Sequence, residues 1–310
     1  MAAFGLLLAW EASGAAEETT KQFRLGFTAA MFTRINENDA KAAITALGTR
    51  IARERNVPFS PIPQLFTSID ATHRAFASGS IDGVGMTLPE FWVLRRDLKF
   101  NRYVTALYEG VATENYVLLT RASDKIPDLA SLRGRRLSIN VTARLSLALT
   151  WLDVELVKQG LPCTNRYFSS LAETTKTNKA VLDVYFGQTD ACIMSSRILQ
   201  TVYDLNPNIA KSLHVVASSP PLIPALLVFS DQSDSALCEV AIDEICRLHD
   251  TPAGQQILTM MHMVKASEIS ISVVQPSFDL LDDHARLCPE SAVLRTERLQ
   301  NQRLPSESIE

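Results

Sequence analysis

The feature that most constrains this chain is a pattern stated twice. Phe66-Thr67-Ser68-Ile69, a helical stretch, Gly79-Ser80-Ile81-Asp82 and Val84-Gly85-Met86-Thr87 are echoed by Phe168-Ser169-Ser170-Leu171, a helical stretch, Gly187-Gln188-Thr189-Asp190 and Cys192-Ile193-Met194-Ser195. In each copy small hydroxyl residues end an apolar run and open a helix, where free backbone N–H groups point outward. The expectation is two matching lobes that face one another. Chance likeness between two β-α-β units of one α/β protein is the competing explanation.

The rest of the chain keeps the same alternation. Phe23 to Phe27 reads as a strand, and Asp39 to Arg55 as a helix with Ala43, Ile44, Leu47 and Ile51 at helical spacing. Pro58 to Leu65 is extended, Ile69 to Ser78 helical, and Gly83 to Met86 a strand; Tyr116 to Arg121 and Ala225 to Phe229 are strands, and Leu147 to Lys158 a helix. Strands alternating with helices predict an α/β protein, each lobe a mixed sheet flanked by helices. The boundaries read as lobe 1 over 22–115 plus 225–278 and lobe 2 over 116–224, with two crossing strands at the hinge. Residues 279–310 read as a peripheral helix and a fraying tail.

At 310 residues with 46% hydrophobic content, the chain can bury a large core. Its 30 Lys+Arg and 34 Asp+Glu are spread without a basic stripe, which argues against nucleic acid as a partner. Residues 1–16 hold an apolar run, Phe4 to Trp10, then Ser13, Gly14, Ala15 and Ala16, which resembles a secretory signal peptide cleaved near Ala15 or Ala16, although no Lys or Arg precedes the run and Glu11 follows it. The expected location is therefore the periplasm. Five cysteines show no C-x-x-C spacing and read mostly as buried small hydrophobes. Cys238 and Cys246, eight apart in one helix, lie about 12 Å apart at 1.5 Å per residue and cannot bond to each other.

The passage Lys125 to Arg136, the Ser-Pro-Pro-x-x-Pro stretch at Ser219 to Pro224 and the Gly-x-x-Asp turns at Gly79 and Gly187 together resemble the solute-binding proteins of phosphate and phosphonate ABC importers, over roughly Phe23 to His262. The resemblance implies a type II periplasmic binding protein: two lobes, a ligand in the cleft, no catalysis, no cofactor. It implies as partners a small anionic solute and an inner-membrane ABC permease, with the protein a monomer. A sensor receptor is the alternative partner, which would make the chain the ligand-sensing subunit of a signalling system. An enzyme on the same bilobed fold is the remaining alternative. In the family a Ser-Thr-Ser run at a helix N-terminus of the second lobe holds an oxyanion. The position here reads Thr142-Ala143-Arg144 with Ser146 close behind, which suggests a carboxylate or sulfonate as well as a phosphonate-like or phosphate-like anion.

Other candidate ligand contacts fall where α/β sheets collect ligands, at the carboxyl ends of strands. These are Thr28, Ser68, Thr87, Ser169, Ser170 and Ser195, each of which could equally be an ordinary helix cap. Phe91 and Tyr116 are candidate cleft walls, with core packing the commoner fate of either. Arg144 is the candidate charge partner of the anion, and pairing with a nearby acid is the competing role. The sequence has no G-x-S-x-G elbow, H-E-x-x-H, Walker loop or G-x-G-x-x-G, and its five histidines have no ligand spacing, so no catalytic or metal residue is expected.

Overall fold

The computed structural model describes residues 22–32, 37–60, 62, 64–176, 178–261 and 263–300. Its strands form two sheets. One contains β1 (Leu25–Thr28), β2 (Gln64–Phe66), β3 (Gly83–Thr87), β4 (Phe100–Leu107), β10 (Ala225–Ser230) and β11 (Lys265–Glu268), in the spatial order β11-β4-β10-β3-β1-β2. The other contains β5 (Tyr116–Arg121), β6 (Arg136–Asn140), β7 (Ser170–Thr174), β8 (Ala191–Ser195) and β9 (Leu213–Ser218), in the order β7-β6-β8-β5-β9. Both are mixed. β1 runs parallel to β2 and β3 as β6 runs parallel to β7 and β8, while β10 meets β3 antiparallel as β5 meets β8.

The order β2-β1-β3-β10 is thus repeated as β7-β6-β8-β5. The echoed Gly-x-x-Asp turns are built alike down to single bonds. Asp82 accepts from the Arg24 amide at 2.8 Å and Asp190 from the Arg136 amide at 2.8 Å, each also taking that arginine's Nε. The same guanidinium then donates to the carbonyl of the turn's first residue, Gly79 at 2.6 Å or Gly187 at 3.3 Å. Both glycines hold positive φ, 62° and 76°, where a side chain is strained. One residue at the start of β6, or just before β1, therefore fixes the turn that feeds the next strand over.

The echo differs from the sequence expectation at one point. Ser169 and Ser170 do not follow a strand; Ser170 opens β7, and the strand-to-helix junction corresponding to Ser68 lies one element later, at residues 174–178. The run Phe168-Ser169-Ser170-Leu171 imitates Phe66-Thr67-Ser68-Ile69 in residue type while sitting at the opposite end of its strand.

The lobes meet through two crossing segments that pair with each other. The Glu114 amide donates to Leu222 O at 2.7 Å, and the Leu222 amide returns a bond to Glu114 O at 2.9 Å. A continuous core joins them as well: Phe91 of the helix Leu88–Leu94 packs on Phe278, whose helix Gln275–Leu287 also lies on the second-lobe helix Ala148–Lys158, with Trp151 and Leu152 inside.

The expectation of a peripheral helix after residue 278 is therefore corrected. Helix Gln275–Leu287 spans both lobes: Trp92 Nε1 donates to Asp282 at 2.7 Å, Arg95 stacks 3.7 Å over the Phe278 ring, and the Ile223 amide donates to buried Ser277 Oγ at 2.8 Å. At its far end a disulfide joins Cys288 to Cys163, so these two of the five cysteines depart from the reading of them as mostly buried small hydrophobes. Cys192 and Cys238 do fit that reading, and burial pushes the Cys238 thiol up to about 12. Beside the disulfide, fully buried Asp153 accepts from the Thr164 amide at 2.7 Å, His284 Nε2 at 2.8 Å and Arg295 at 2.8 Å. Burial alone would raise this carboxyl, but His284, Arg295 and Thr164 outweigh it and hold it at about 2.

Candidate functional site

The strand ends of the two sheets converge on a cleft. From lobe 1 come the end of β1, continued by Ala29 and Ala30, and Thr87 at the end of β3; from lobe 2 come Asn140 at the end of β6, the turn Val141 to Ser146, and Thr174 and Thr175 after β7. Together with Trp92, Leu149 and Arg295 these line a cavity of about 520 Å³. Asn140, Thr142 and Ala143 also line a second cavity of about 630 Å³ on the other side of the same turn.

The turn is built to leave donors free. The Val141 amide is used by Thr174 O at 2.8 Å, and the Leu145 and Ser146 amides turn back to Thr142 O and Ala143 O. The three amides between, of Thr142, Ala143 and Arg144, find no acceptor among the described residues. Ser146 Oγ donates to Pro224 O at 2.7 Å, which anchors this lobe 2 turn to the returning crossover and so to lobe 1.

Two buried carboxylates brace the cleft floor, and though they stand at different positions in the chain each holds the equivalent hydroxyl residue of its lobe. Glu90 accepts from Thr28 Oγ1 at 2.8 Å and from the Thr87 amide and hydroxyl at 2.8 and 2.7 Å. In the other lobe Ser195, the counterpart of Thr87, donates its hydroxyl to Glu114 at 2.6 Å. Each acid locks the hydroxyl residue that caps the helix after the third strand of its unit.

Among the residues expected at the site, the structure brings Thr87, Thr142, Ala143, Arg144 and Ser146 to the cavities. The others fall elsewhere. Thr28 and Ser195 are buried beneath the floor with their hydroxyls on Glu90 and Glu114. Ser68 caps the helix Ile69–Ala77 by accepting from the Ala71 amide, and lines neither cavity. Ser169 and Ser170 are at the end of β7 away from the cleft, because Asn140 pairs with Thr174 and Arg136 with Ser170. Phe91 and Tyr116 are core residues, not cleft walls. Phe91 packs on Phe100 and Phe278, and Tyr116 lies against Trp151 with its hydroxyl donating to Arg144 O, burial pushing that hydroxyl's pKa up.

Arg144 faces the hinge. Its Nε lies 3.3 Å from Glu114 Oε1, and the guanidinium rests 3.5 Å over the Tyr108 ring. Sequence reasoning missed Asn140, Thr174, Thr175 and Arg295 as wall residues and Glu90 as the brace. The pair Thr174-Thr175 before a helix is the signal that was readable, one element beyond Ser169-Ser170. Arg295 carried no signal, since its helix was read as peripheral. Its Nε is buried without a partner while Nη2 serves Asp153.

Asp153, His284 and Cys288 come within 4.8 Å of one another, a spacing that could chelate a metal. The Cys288 sulfur is committed to Cys163, however, and the carboxylate is already taken by three donors, so the cluster is structural.

Two lobes of matched mixed sheet, crossed twice, with unclaimed amides at the strand ends between them, define a solute-binding fold of the type II periplasmic kind. The family model of the phosphonate ABC transporter periplasmic substrate-binding protein matches residues 29–273, and the chain belongs to that family. Solved structures of similar fold include XAC2383 from Xanthomonas citri bound to chloride ion, 13% identical with a TM-score of 0.61 over 86% of this chain and 99% of that one. PhnD1 from Prochlorococcus marinus in complex with methylphosphonate is 13% identical with a TM-score of 0.58, over 86% and 98%. The periplasmic aliphatic sulphonate binding protein SsuA from Escherichia coli is 14% identical with a TM-score of 0.51, over 93% and 95%. No curated protein sequence matches this chain. Among the described residues no helix is long and apolar enough to cross a membrane, and residues 1–16, read as a signal peptide, lie outside the described residues.

Proposed function

We propose that this protein is a monomeric, non-catalytic receptor that captures a small oxyanion in the periplasm and hands it to an inner-membrane ABC permease. The observation that carries this reading is the turn Thr142-Ala143-Arg144 with its three unclaimed amides, of which Thr142 and Ala143 line the cavity between the two sets of strand ends and all three residues line the second cavity. Backbone N–H groups held in place by Val141 and Ser146 on either side cost little further ordering when an anion arrives, and charge-assisted bonds to them are the stronger kind. Thr142, Thr174 and Thr175 add hydroxyls around the same space, which Thr87 and Arg295 also line while held on Glu90 and Asp153. Among the described residues that line the cleft, no nucleophile is paired with a base. The buried acids Glu90 and Glu114 are occupied in holding hydroxyls, which is a framework role.

The family's oxyanion class makes phosphonates the first ligands to try, and the departure at Thr142-Ala143-Arg144 noted above brings in sulfonates and carboxylates next. A thermal-shift screen against inorganic phosphate, methylphosphonate, alkylsulfonates, carboxylates and amino acids tests this, because a ligand that binds only the folded state raises the melting temperature. A rise with oxyanions alone is expected. A rise with amino acids alone, or with none of these compounds, overturns the reading. Export is tested separately by the N-terminus of the mature protein recovered from the periplasm, expected to begin after Ala15 or Ala16.

A further inference from the structure

Across the turn from the cleft lies a hollow that an oxyanion alone leaves unused, and the two share Asn140, Thr142 and Ala143 as wall residues. Beyond Asn140, Thr142 and Ala143 a chamber of about 630 Å³ runs into lobe 1, between its sheet and the helices Ser235–Cys246 and Pro252–Met260. Its walls include Phe27, Leu227, Ile245 and Leu258, which are core residues of the lobe, with Met263 and exposed Val264 at the rim. Protein interiors keep few voids larger than a water molecule. A hollow of this size, walled mostly by apolar residues with the Glu114–Arg144 pair at one side and divided from the solute cleft only by the turn at Asn140 to Ala143, has the character of a ligand pocket: mostly apolar, with a few polar groups that fix orientation.

One of those polar groups is unsatisfied. Asn140, 1% exposed, donates Nδ2 to Thr174 O at 3.0 Å. A carbonyl only accepts, so this bond sets which way the amide is turned and leaves Oδ1 as a buried acceptor without a partner, on a residue that lines both cavities. A buried acceptor left unmade is costly, and a ligand O–H or N–H removes that cost.

We infer that the solute is amphiphilic, with a compact anionic head that also carries an O–H or N–H donor and an apolar body of several carbons that fills the chamber. This deepens the proposed function and rests on it for the head group. A singly protonated alkylphosphonate meets both conditions: its anionic oxygens take the amides of Thr142 to Arg144, its P–OH donates to Asn140 Oδ1, and its chain enters between Leu227 and Leu258.

Calorimetry on the full chain with inorganic phosphate, methylphosphonate, butylphosphonate and octylphosphonate tests the inference. Burial of each methylene is expected to tighten binding about three- to four-fold, so octylphosphonate, seven methylenes longer, should exceed methylphosphonate by about a thousand-fold or more if its whole chain is buried, with an increasingly negative heat-capacity change. Ala106→Phe on the chamber wall, and Val264→Trp at its exposed rim, should flatten the series while leaving methylphosphonate binding unchanged. The wild-type series decides the matter even if either variant folds poorly. Tight binding of methylphosphonate with no dependence on chain length overturns the chamber and leaves the oxyanion site standing. Failure of every member to bind overturns a phosphonate head group, and this inference with it, while the oxyanion reading is decided by the sulfonates and carboxylates of the thermal-shift screen.

Discussion

Arg144 and Glu114 form an ion pair at the hinge, Nε to Oε1 at 3.3 Å, with the Glu114 carboxylate buried and held on its other oxygen by Ser195. The pair spans the first crossing segment and the solute-binding turn. Arg144→Ala would leave the carboxylate inside the protein without its cation, and such broken pairs cost several kcal/mol. The variant is expected to lose about 3 kcal/mol of stability in urea unfolding, with Glu114→Gln added to it recovering part of the loss. An unchanged urea midpoint for Arg144→Ala would show that the arginine serves the solute and not the hinge.

Glu90 is the lobe 1 counterpart, and it holds Thr28 and Thr87 at once. Glu90→Ala strands two buried hydroxyls and an amide, so a loss of about 2 to 3 kcal/mol is expected. Solute binding should weaken too, because Thr87 lines the cavity. Parallel calorimetry and denaturation separate the two effects, and full affinity in the folded variant would exclude Glu90 from positioning the site.

Asp153 makes stability depend on acid. Its carboxyl titrates at about 2 in the folded protein against 3.8 ordinarily, held down by His284, Arg295 and Thr164 against its burial. A depressed folded value means that the contribution, on the order of 2 kcal/mol, is complete above about pH 4 and fades as pH falls toward 2. The stability difference between wild type and Asp153→Asn should therefore shrink over that interval and be constant above it. A difference independent of pH down to 2 would contradict the assignment.

The Cys163–Cys288 bond closes a loop of 125 residues in sequence separation. Cys163→Ser with Cys288→Ser is expected to lower stability by about 2 to 4 kcal/mol, chiefly through a freer unfolded chain. Thiol titration of the denatured wild type should find three free groups, Cys192, Cys238 and Cys246, and all five after reduction. Five before reduction would show that the bond is not formed.

The alternation of strands and helices was readable because apolar spacing is a local property. Tyr116–Arg121 was delimited to the residue, and the helix Glu37–Arg55 to within two. The repeat was readable from its Gly-x-x-Asp turns, since positive φ at Gly79 and Gly187 leaves a mark in residue type. The arginines that clasp those turns were not, because Arg24 and Arg136 resemble any other arginine until the fold brings Asp82 and Asp190 beside them. Hydroxyl residues were the least decisive signal. Ser170 and Thr174 lie on one strand and differ only in which end faces the cleft, a distinction made by pairing with β6 and not by composition. The segment from Phe278 onward looked like a solvated surface helix because polar His284, beside Phe278 and Leu281, shares the buried face of Gln275–Leu287, and Arg295 of the next helix reaches Asp153.

The clasp around Asp153 also sets an order of assembly. The partners of this lobe 2 carboxylate lie 131 and 142 positions further along the chain. During synthesis every strand of both lobes emerges before His284 and Arg295 do, and until then Asp153 has only the Thr164 amide to offset its burial. Lobe 2 therefore cannot close over this charge early. The helices Gln275–Leu287 and Pro289–Gln300 thus hold a condition for completing the middle of the protein.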